Sequence, residues 1–238
     1  MNNTDILARL TECGIPCDEL LAARIARYHE LLLDWNTRMD LTAVTDEAEM
    51  LDRHYVDSLM PLREGITFSG SLIDVGTGAG FPGLPLAMAC PDLSVTLMDA
   101  QQKRLTFLQA VIDDLQLTNV TLVHARAEDG GHNSAWRGKF DWAVARAVAP
   151  LPVLCEYLLP FVKTGGHALC WKGPALDDEL TAGRRAAHLL EAKLRDPIRL
   201  VIPGRDWDHR LLMMDKTGGT PQKYPRKAGT PSKAPLGV

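Results

Sequence analysis

Ser71–Pro85 reads SLIDVGTGAGFPGLP, and its interpretation decides the fold. The apolar run Leu72 to Val75, with Asp74 inside it, has the composition of a buried parallel strand. Gly76, Gly78 and Gly80 follow at alternate positions and make a turn almost free of side chains. Glycine there admits φ > 0 and lets a ligand approach the backbone closely. Pro82 stands where a helix begins, the place at which a fixed φ and a missing N–H cost least. Strand, glycine turn and helix together open a nucleotide-binding βαβ unit.

Two spacings fit this stretch. Gly78, Gly80 and Gly83 match G-x-G-x-x-G, the dinucleotide fingerprint, which is weak by itself. Asp74-Val-Gly-Thr-Gly-Ala-Gly80 reads as acid-x-Gly-x-Gly-x-Gly, which looks like the first motif of S-adenosylmethionine-dependent methyltransferases. That ligand carries a sulfonium and an amino acid end, and a carboxylate near the loop suits its positive charge, so Asp74 favours the second spacing. In both cases an acid closing the next strand should grip ribose hydroxyls. Ser94-Val-Thr-Leu-Met-Asp99 supplies it. The alternative is a glycine turn without any ligand.

Composition narrows the class. The chain has 238 residues, room for one large α/β domain plus an extension. An apolar share of 46% is ordinary for a globular protein with a full core. No run of roughly 18 apolar residues suggests a membrane span, and MNNTDILARL lacks the layout of a secretory signal. Cys13, Cys17, Cys90, Cys155 and Cys170 are scattered and odd in number, which fits reduced thiols in a cytoplasmic protein and indicates no metal site. The net charge of −4 does not describe a generic nucleic-acid binder, so charge distribution matters more than the total.

Helices precede the first strand. Leu20, Leu21, Ile25, Tyr28, Leu31, Leu32 and Trp35 recur at spacings of three and four, an amphipathic face. Residues 1–68 are therefore expected as an N-terminal helical extension and 69–215 as the core. Within the core we expect strands near 72–75, 94–98, 120–124, 141–145, 166–171, 198–202 and 210–214, with helices near 83–90, 101–116, 151–160 and 175–195. Such alternation gives an α/β, mostly parallel sheet with helices on both faces. The last two strands have only Pro203 to Asp208 between them and should pair antiparallel. A seven-stranded Rossmann-like sheet with a final antiparallel strand is the signature of the class I methyltransferase fold. Residues 216–238 contain no acid, but carry Lys216, Lys223, Arg226, Lys227 and Lys233. This segment is expected to be a flexible basic tail without a core, either solubilising or in contact with phosphates.

Ligand contacts in a doubly wound sheet gather at the carboxyl ends of the strands. Those places hold Gly76 to Phe81, then Asp99, then Arg126 with Ala127 and Glu128, then Arg146, then Lys172. The first three suit a nucleoside: glycine backbone, a ribose carboxylate, and an adenine contact near Ala127-Glu128. Lys103 and Arg104 open the helix after Asp99, where cations are disfavoured unless an anion offsets them. Arg146 lies in the otherwise apolar Trp142–Val148 and is expected to face the cleft rather than the core. His54 sits beside Arg53 and Asp57, and both a structural and a functional role fit it. Asp57 is expected to pair with Arg53 or to cap locally.

Absences narrow the reaction. The Asn/Asp-Pro-Pro-aromatic motif of exocyclic amine methylation is missing after the fourth strand, where Arg146-Ala147-Val148 stands. Cys155 in a helix and Cys170 in a strand are not placed as attacking thiolates. The acceptor should then bring its own lone pair, as guanine N7 does. Such an acceptor needs alignment more than a base, so no catalytic acid or base is expected.

With these residues in view, the chain closely resembles the bacterial 16S ribosomal RNA guanine-N7 methyltransferases, also called glucose-inhibited division protein B. The resemblance rests on Trp35-Asn36 with Leu41-Thr42, Arg53-His54-x-x-Asp57-Ser58-Leu59, Asp74 to Gly83, and Asp99 with Lys103-Arg104 and Phe107-Leu108. It continues through Arg126-Ala-Glu128, Arg146-Ala147, Lys172-Gly173 and Tyr224-Pro-Arg-Lys-x-Gly-Thr-Pro. It implies methyl transfer from S-adenosylmethionine to N7 of a guanosine in a conserved loop of small-subunit ribosomal RNA, free or in the 30S particle. It implies cofactor contacts at Gly76, Gly78, Phe81, Ala127, Glu128 and Arg146, with Asp99 at the ribose. RNA contacts are expected at Arg53, His54, Lys103, Arg104, Arg126, Lys172, Arg226 and Lys227. A cytoplasmic monomer is expected. Two departures stand out: Asp40 replaces the usual Asn, and His209-Arg210 replaces the usual Arg-His. A small-molecule methyltransferase, a dinucleotide-dependent oxidoreductase and a non-enzymatic RNA-binding module are the rival readings.

Overall fold

The structure, a computed structural model, describes residues 1–238. Its strands are β1 Ser71–Val75, β2 Ser94–Asp99, β3 Val120–His124, β4 Phe140–Arg146, β5 Val162–Lys172, β6 Ala192–Leu194, β7 Ile198–Leu200 and β8 His209–Lys216. They form one sheet in the order β3-β2-β1-β4-β5-β8-β6, with β7 also paired to β8. β1 to β5 run parallel, and β8 runs antiparallel to β5, β6 and β7. This is the mostly parallel class I sheet read from the sequence, with one strand more. Residues 192–194, expected as the end of a helix, form β6 instead. Glu191 has φ of 58°, which a helix interior does not admit, and Ala192 and Leu194 then turn into the core.

Before the sheet come α1 Asn3–Glu12, α2 Glu19–Asn36 and α3 Glu47–Met50, then a π-helical stretch Leu51–Val56 that runs into α4 Asp57–Arg63. Asp18 starts α2 by accepting the Leu21 N–H at 2.8 Å. Leu21, Ile25, Tyr28 and Leu32 of α2 are buried, whereas Leu20 lies off the stripe and is 59% exposed. These helices join α5 Gly83–Ala89 and α6 Gln102–Asp114 on one face of the sheet. The other face carries α8 Leu151–Leu158 and α9 Leu176–Leu189, with α7 Ala127–Gly130 at its edge. Leu72 belongs to the first core, and Ile73 and Val75 to the second, the period of two that a doubly covered strand requires.

The segment 216–238 is not a free arm. Lys216 ends β8 and is buried, donating to the carbonyls of Leu190 at 2.6 Å and Glu191 at 3.2 Å and to that of Gly218. Burial pushes its ammonium down to about 8. Tyr224 and Leu236 enter the second core. Arg226 meets the fully buried Glu156 of α8, with Nη2 to Oε2 at 2.7 Å and its own backbone N–H at 2.5 Å from Oε1. The lack of acids, which suggested a solvated tail, is instead matched by an acid buried elsewhere. α10, Thr230–Lys233, follows.

Candidate active site

The order of the sheet reverses between β1 and β4, so a crevice opens at their carboxyl ends. Gly76, Gly78 and Gly80 there take φ of 75°, 62° and 100°, a run that other residues adopt only with strain. A Cβ on Gly80 would also stand 2.6 Å from the Tyr28 hydroxyl, which already donates to the Ala79 carbonyl. Asp74 does not face the crevice. It is fully buried beneath the loop, where Oδ2 accepts from the Thr77 hydroxyl at 2.7 Å and the Gly83 N–H at 2.9 Å. It therefore ties the turn to the start of α5 and does not serve as a counter-charge for a ligand. Loss of hydration pushes its carboxyl up to about 6. Gly83 must be glycine for packing: a Cβ would sit 2.8 Å from Asp74 Oδ2 and collide with Leu97.

Asp99 closes β2 and is buried at the rim of this loop. Its Oδ2 accepts the Gly78 N–H at 2.9 Å and its Oδ1 the Gln101 N–H at 2.8 Å, while Arg104 Nη1 lies 3.4 Å from Oδ2. Oδ1 keeps a second lone pair for a hydroxyl. Beside it lies a cavity of about 270 Å³, walled by Gly76, Ala100, Arg126, Ala127, Glu128 and Val148. Gly229 and Ser232 of the C-terminal segment also line it. Glu128 Oε1 accepts the Gly229 N–H at 2.9 Å and the Tyr157 hydroxyl at 3.4 Å, and Ser232 Oγ meets that hydroxyl at 3.0 Å. Side-chain-free backbone, small apolar walls and a buried carboxylate at a strand end fit an adenosyl group.

A second cavity of about 300 Å³ lies across Ala147 and Val148, with Arg53, His54, Asp57, Arg146, Lys172 and His209 around it. Asp57 does not pair with Arg53. From the first turn of α4 it binds Arg146 Nη1 at 3.1 Å and His209 Nδ1 at 2.9 Å. Arg53 instead binds Glu49 and lays its guanidinium 4.2 Å over Trp207. Arg146 Nη1 also donates to the Arg53 carbonyl at 2.5 Å, and Lys172 pairs with Glu179 at 2.6 Å. Asn36 accepts the Leu41 and Thr42 N–H groups, and Thr42 Oγ1 stands 2.8 Å from His54 Nε2. Burial, then the nearby Arg146 charge, pushes the His54 imidazole down to about 4, so it is neutral at pH 7.

Of the residues read from the sequence, Gly76, Ala127, Glu128 and Arg126 line the first cavity, while Gly78 and Asp99, bonded to each other, lie outside its lining. Arg53, His54, Arg146 and Lys172 line the second. Phe81 has its ring in the core, stacked on Tyr28 at 5.3 Å and His54 at 4.8 Å, so only its backbone belongs to the loop. Lys103 and Lys227 are exposed without protein partners, whereas Arg226 is committed to Glu156. Trp207 and Tyr157 were not anticipated, and His209 stood out in the sequence only as a departure from the family pattern. For His209 a signal existed: an antiparallel last strand must start where the parallel strands end. Trp207 has no such signal.

The family described as rRNA small subunit methyltransferase G matches residues 21–199. The chain belongs to this family. It is 46% identical over 233 residues to the ribosomal RNA small subunit methyltransferase G of Leuconostoc citreum, covering 97% of each chain. The Alkaliphilus metalliredigens protein of the same name is 45% identical over 226 residues, 94% of this chain and 95% of that one. Among solved structures, Methanococcus jannaschii fibrillarin, a pre-rRNA processing protein, superposes with a TM-score of 0.53 at 15% identity, over 67% of this chain and 74% of that one. A 16S rRNA (adenine(1408)-N(1))-methyltransferase mutant from Catenulisporales acidiphilia gives 0.52 at 18% identity, over 63% and 86%. These likenesses concern the fold. The chain is thus a ribosomal RNA methyltransferase of class I architecture whose methyl donor is S-adenosylmethionine. No helix in it is long and apolar enough to cross a membrane.

Proposed function

We propose that the protein transfers the methyl group of S-adenosylmethionine to N7 of a guanosine in 16S ribosomal RNA. The observation that carries this reading is the adjacency of the two cavities. One is a groove with Gly76 in its lining and Asp99 beside it, the other a pocket rich in cations, and consecutive residues, Val148 and Ala147, line the one and the other. The bound cofactor supplies an electrophilic methyl group on a sulfonium. Gly76, Gly78 and the Asp99 carboxylate hold the nucleoside end, with Ala127 and Glu128 at the base. Arg146, fixed by Asp57, spans toward the acceptor side. Guanine N7 bears a free lone pair in the ring plane, so the chain need only hold it in line with the methyl group and the sulfur. Cys155 and Cys170 are buried, and burial holds both thiols above their usual range, which suits this direct transfer rather than attack by a thiolate. Arg53, Lys172, Arg126, Lys103, Arg104 and Lys227 supply the positive charge that phosphates require, which makes binding salt-sensitive. The test is to incubate the protein with labelled donor and small-subunit particles that lack the modification, then to locate the label. Label on a guanosine N7 is the expected result. Label on another base, or none, refutes the reading.

A further inference from the structure

We propose that His209 reads the base to be methylated, its Nε2 accepting a hydrogen bond from the ring N1–H of the target guanine. The proposal rests on the guanine-N7 reading above. Asp57 is the starting point. It is 3% exposed, and its Oδ2 binds the Arg146 guanidinium, so the carboxylate is ionised. Oδ1 can then only accept, and His209 Nδ1, 2.9 Å away, must carry the hydrogen. In its neutral form the ring is then left with a lone pair on Nε2. That atom makes no hydrogen bond within the protein, and the ring lines the acceptor pocket. The ring plane is fixed on its other side by Trp207, stacked at 5.2 Å with 29° between planes.

Among the side chains of the pocket, His209 is the free acceptor. Both Asp57 oxygens are engaged, and so is Glu179, on Lys172 and the Leu151 N–H. His54 has Nε2 on Thr42, and its Nδ1 is buried. The remaining charged side chains of the lining, Arg53, Arg146 and Lys172, are cationic and suit the O6 edge and phosphates. Guanine presents N7 and O6 as acceptors on one edge, with donors N1–H and N2–H₂ beyond. With N7 turned to the methyl group, the N1–H edge needs an acceptor on the far side. As N7 gains its methyl, positive charge spreads over the purine and N1–H becomes a stronger donor. The contact therefore tightens in the transition state, where binding accelerates the reaction. Adenine offers a lone pair at N1, which would oppose the lone pair of Nε2.

The test is single-turnover methyl transfer at saturating cofactor to small-subunit particles lacking the modification, together with cofactor affinity by calorimetry. H209A should transfer roughly 10- to 100-fold more slowly, with the cofactor Kd within about twofold of wild type. In H209Q the amide oxygen can stand near the place of Nε2, and most of the rate should return. A wild-type rate in H209A overturns the proposal, as does an H209Q variant no faster than H209A while cofactor binds normally. A weakened cofactor Kd in H209A, with the rate restored at saturation, would assign the residue to the cofactor and also overturn it. Absence of 7-methylguanosine from the wild-type reaction is a separate result, which removes the guanine-N7 reading itself.

Discussion

Arg226→Ala isolates the claim that the C-terminal segment is part of the fold. Glu156 is fully buried, and the guanidinium gives it contacts of 3.0 and 2.7 Å, Nε to Oε1 and Nη2 to Oε2. The variant keeps the backbone N–H at 2.5 Å and loses the charge. An uncompensated buried carboxylate costs roughly 3–5 kcal/mol. Taking up a proton caps that loss: neutralising a glutamate of ordinary pKa at pH 7 costs about 3.7 kcal/mol. Because Arg226 is 26% exposed, solvent shares some of the work, so about 3 kcal/mol is expected. Guanidinium chloride unfolding of Arg226→Ala should show this loss at unchanged slope. The double variant with Glu156→Gln should recover about 2 kcal/mol of it, because a neutral amide needs no cation. A loss under about 0.5 kcal/mol in Arg226→Ala would refute the reasoning, most clearly if limited proteolysis also removed residues beyond Lys216 without delay.

Three further outcomes test other parts of the structure. Asp99→Ala should weaken S-adenosylmethionine binding by roughly 10- to 100-fold in calorimetry, since ribose hydroxyls lose a charged acceptor and Gly78 its anchor; unaltered affinity would remove Asp99 from that role. Gly83→Ala should cost about 1–3 kcal/mol of stability, because its Cβ presses on Asp74 and Leu97, and an unchanged midpoint would refute the packing argument. His54 and Asp74 should oppose each other in acid. The folded His54 titrates near 4 rather than 6.5, so its contribution is full above about pH 6.5 and falls as the pH drops toward 4. The folded Asp74 titrates near 6 rather than 3.8, so its contribution is full below about pH 4 and is lost as the pH rises to 6. Asp74→Asn removes the second effect, and the rise in stability between pH 4 and 6 should steepen by up to about 1.4 kcal/mol per pH unit. An unsteepened profile would count against a buried, raised Asp74.

The glycine-turn side of the candidate site was legible in the sequence because its determinants are local. Asp74, the three glycines and Gly83 lie within one strand-turn-helix, and Asp99 ends the next strand. Spacing was enough to place them, though not to aim Asp74, because alternation puts a residue on a face without naming its neighbour. The acceptor side depends on encounters between distant segments. Asp57 meets Arg146 across 89 residues and His209 across 152. Local charge pattern favoured the neighbour Arg53 for Asp57, and only the packing of α4 against the ends of β4 and β8 reverses that preference. The C-terminal segment fails for a related reason. Its composition cannot form a core alone, yet Glu156 and the second core offer Arg226, Tyr224 and Leu236 partners that no local window contains.

The reversed direction of β8 has an evolutionary consequence. It delivers the hairpin after β7, with Trp207 and His209, to the mouth of the crevice without passing through the glycine turn. On the proposed assignment of the two cavities, changes in the length or composition of that hairpin would retune which nucleotide is accepted while donor capture is left intact.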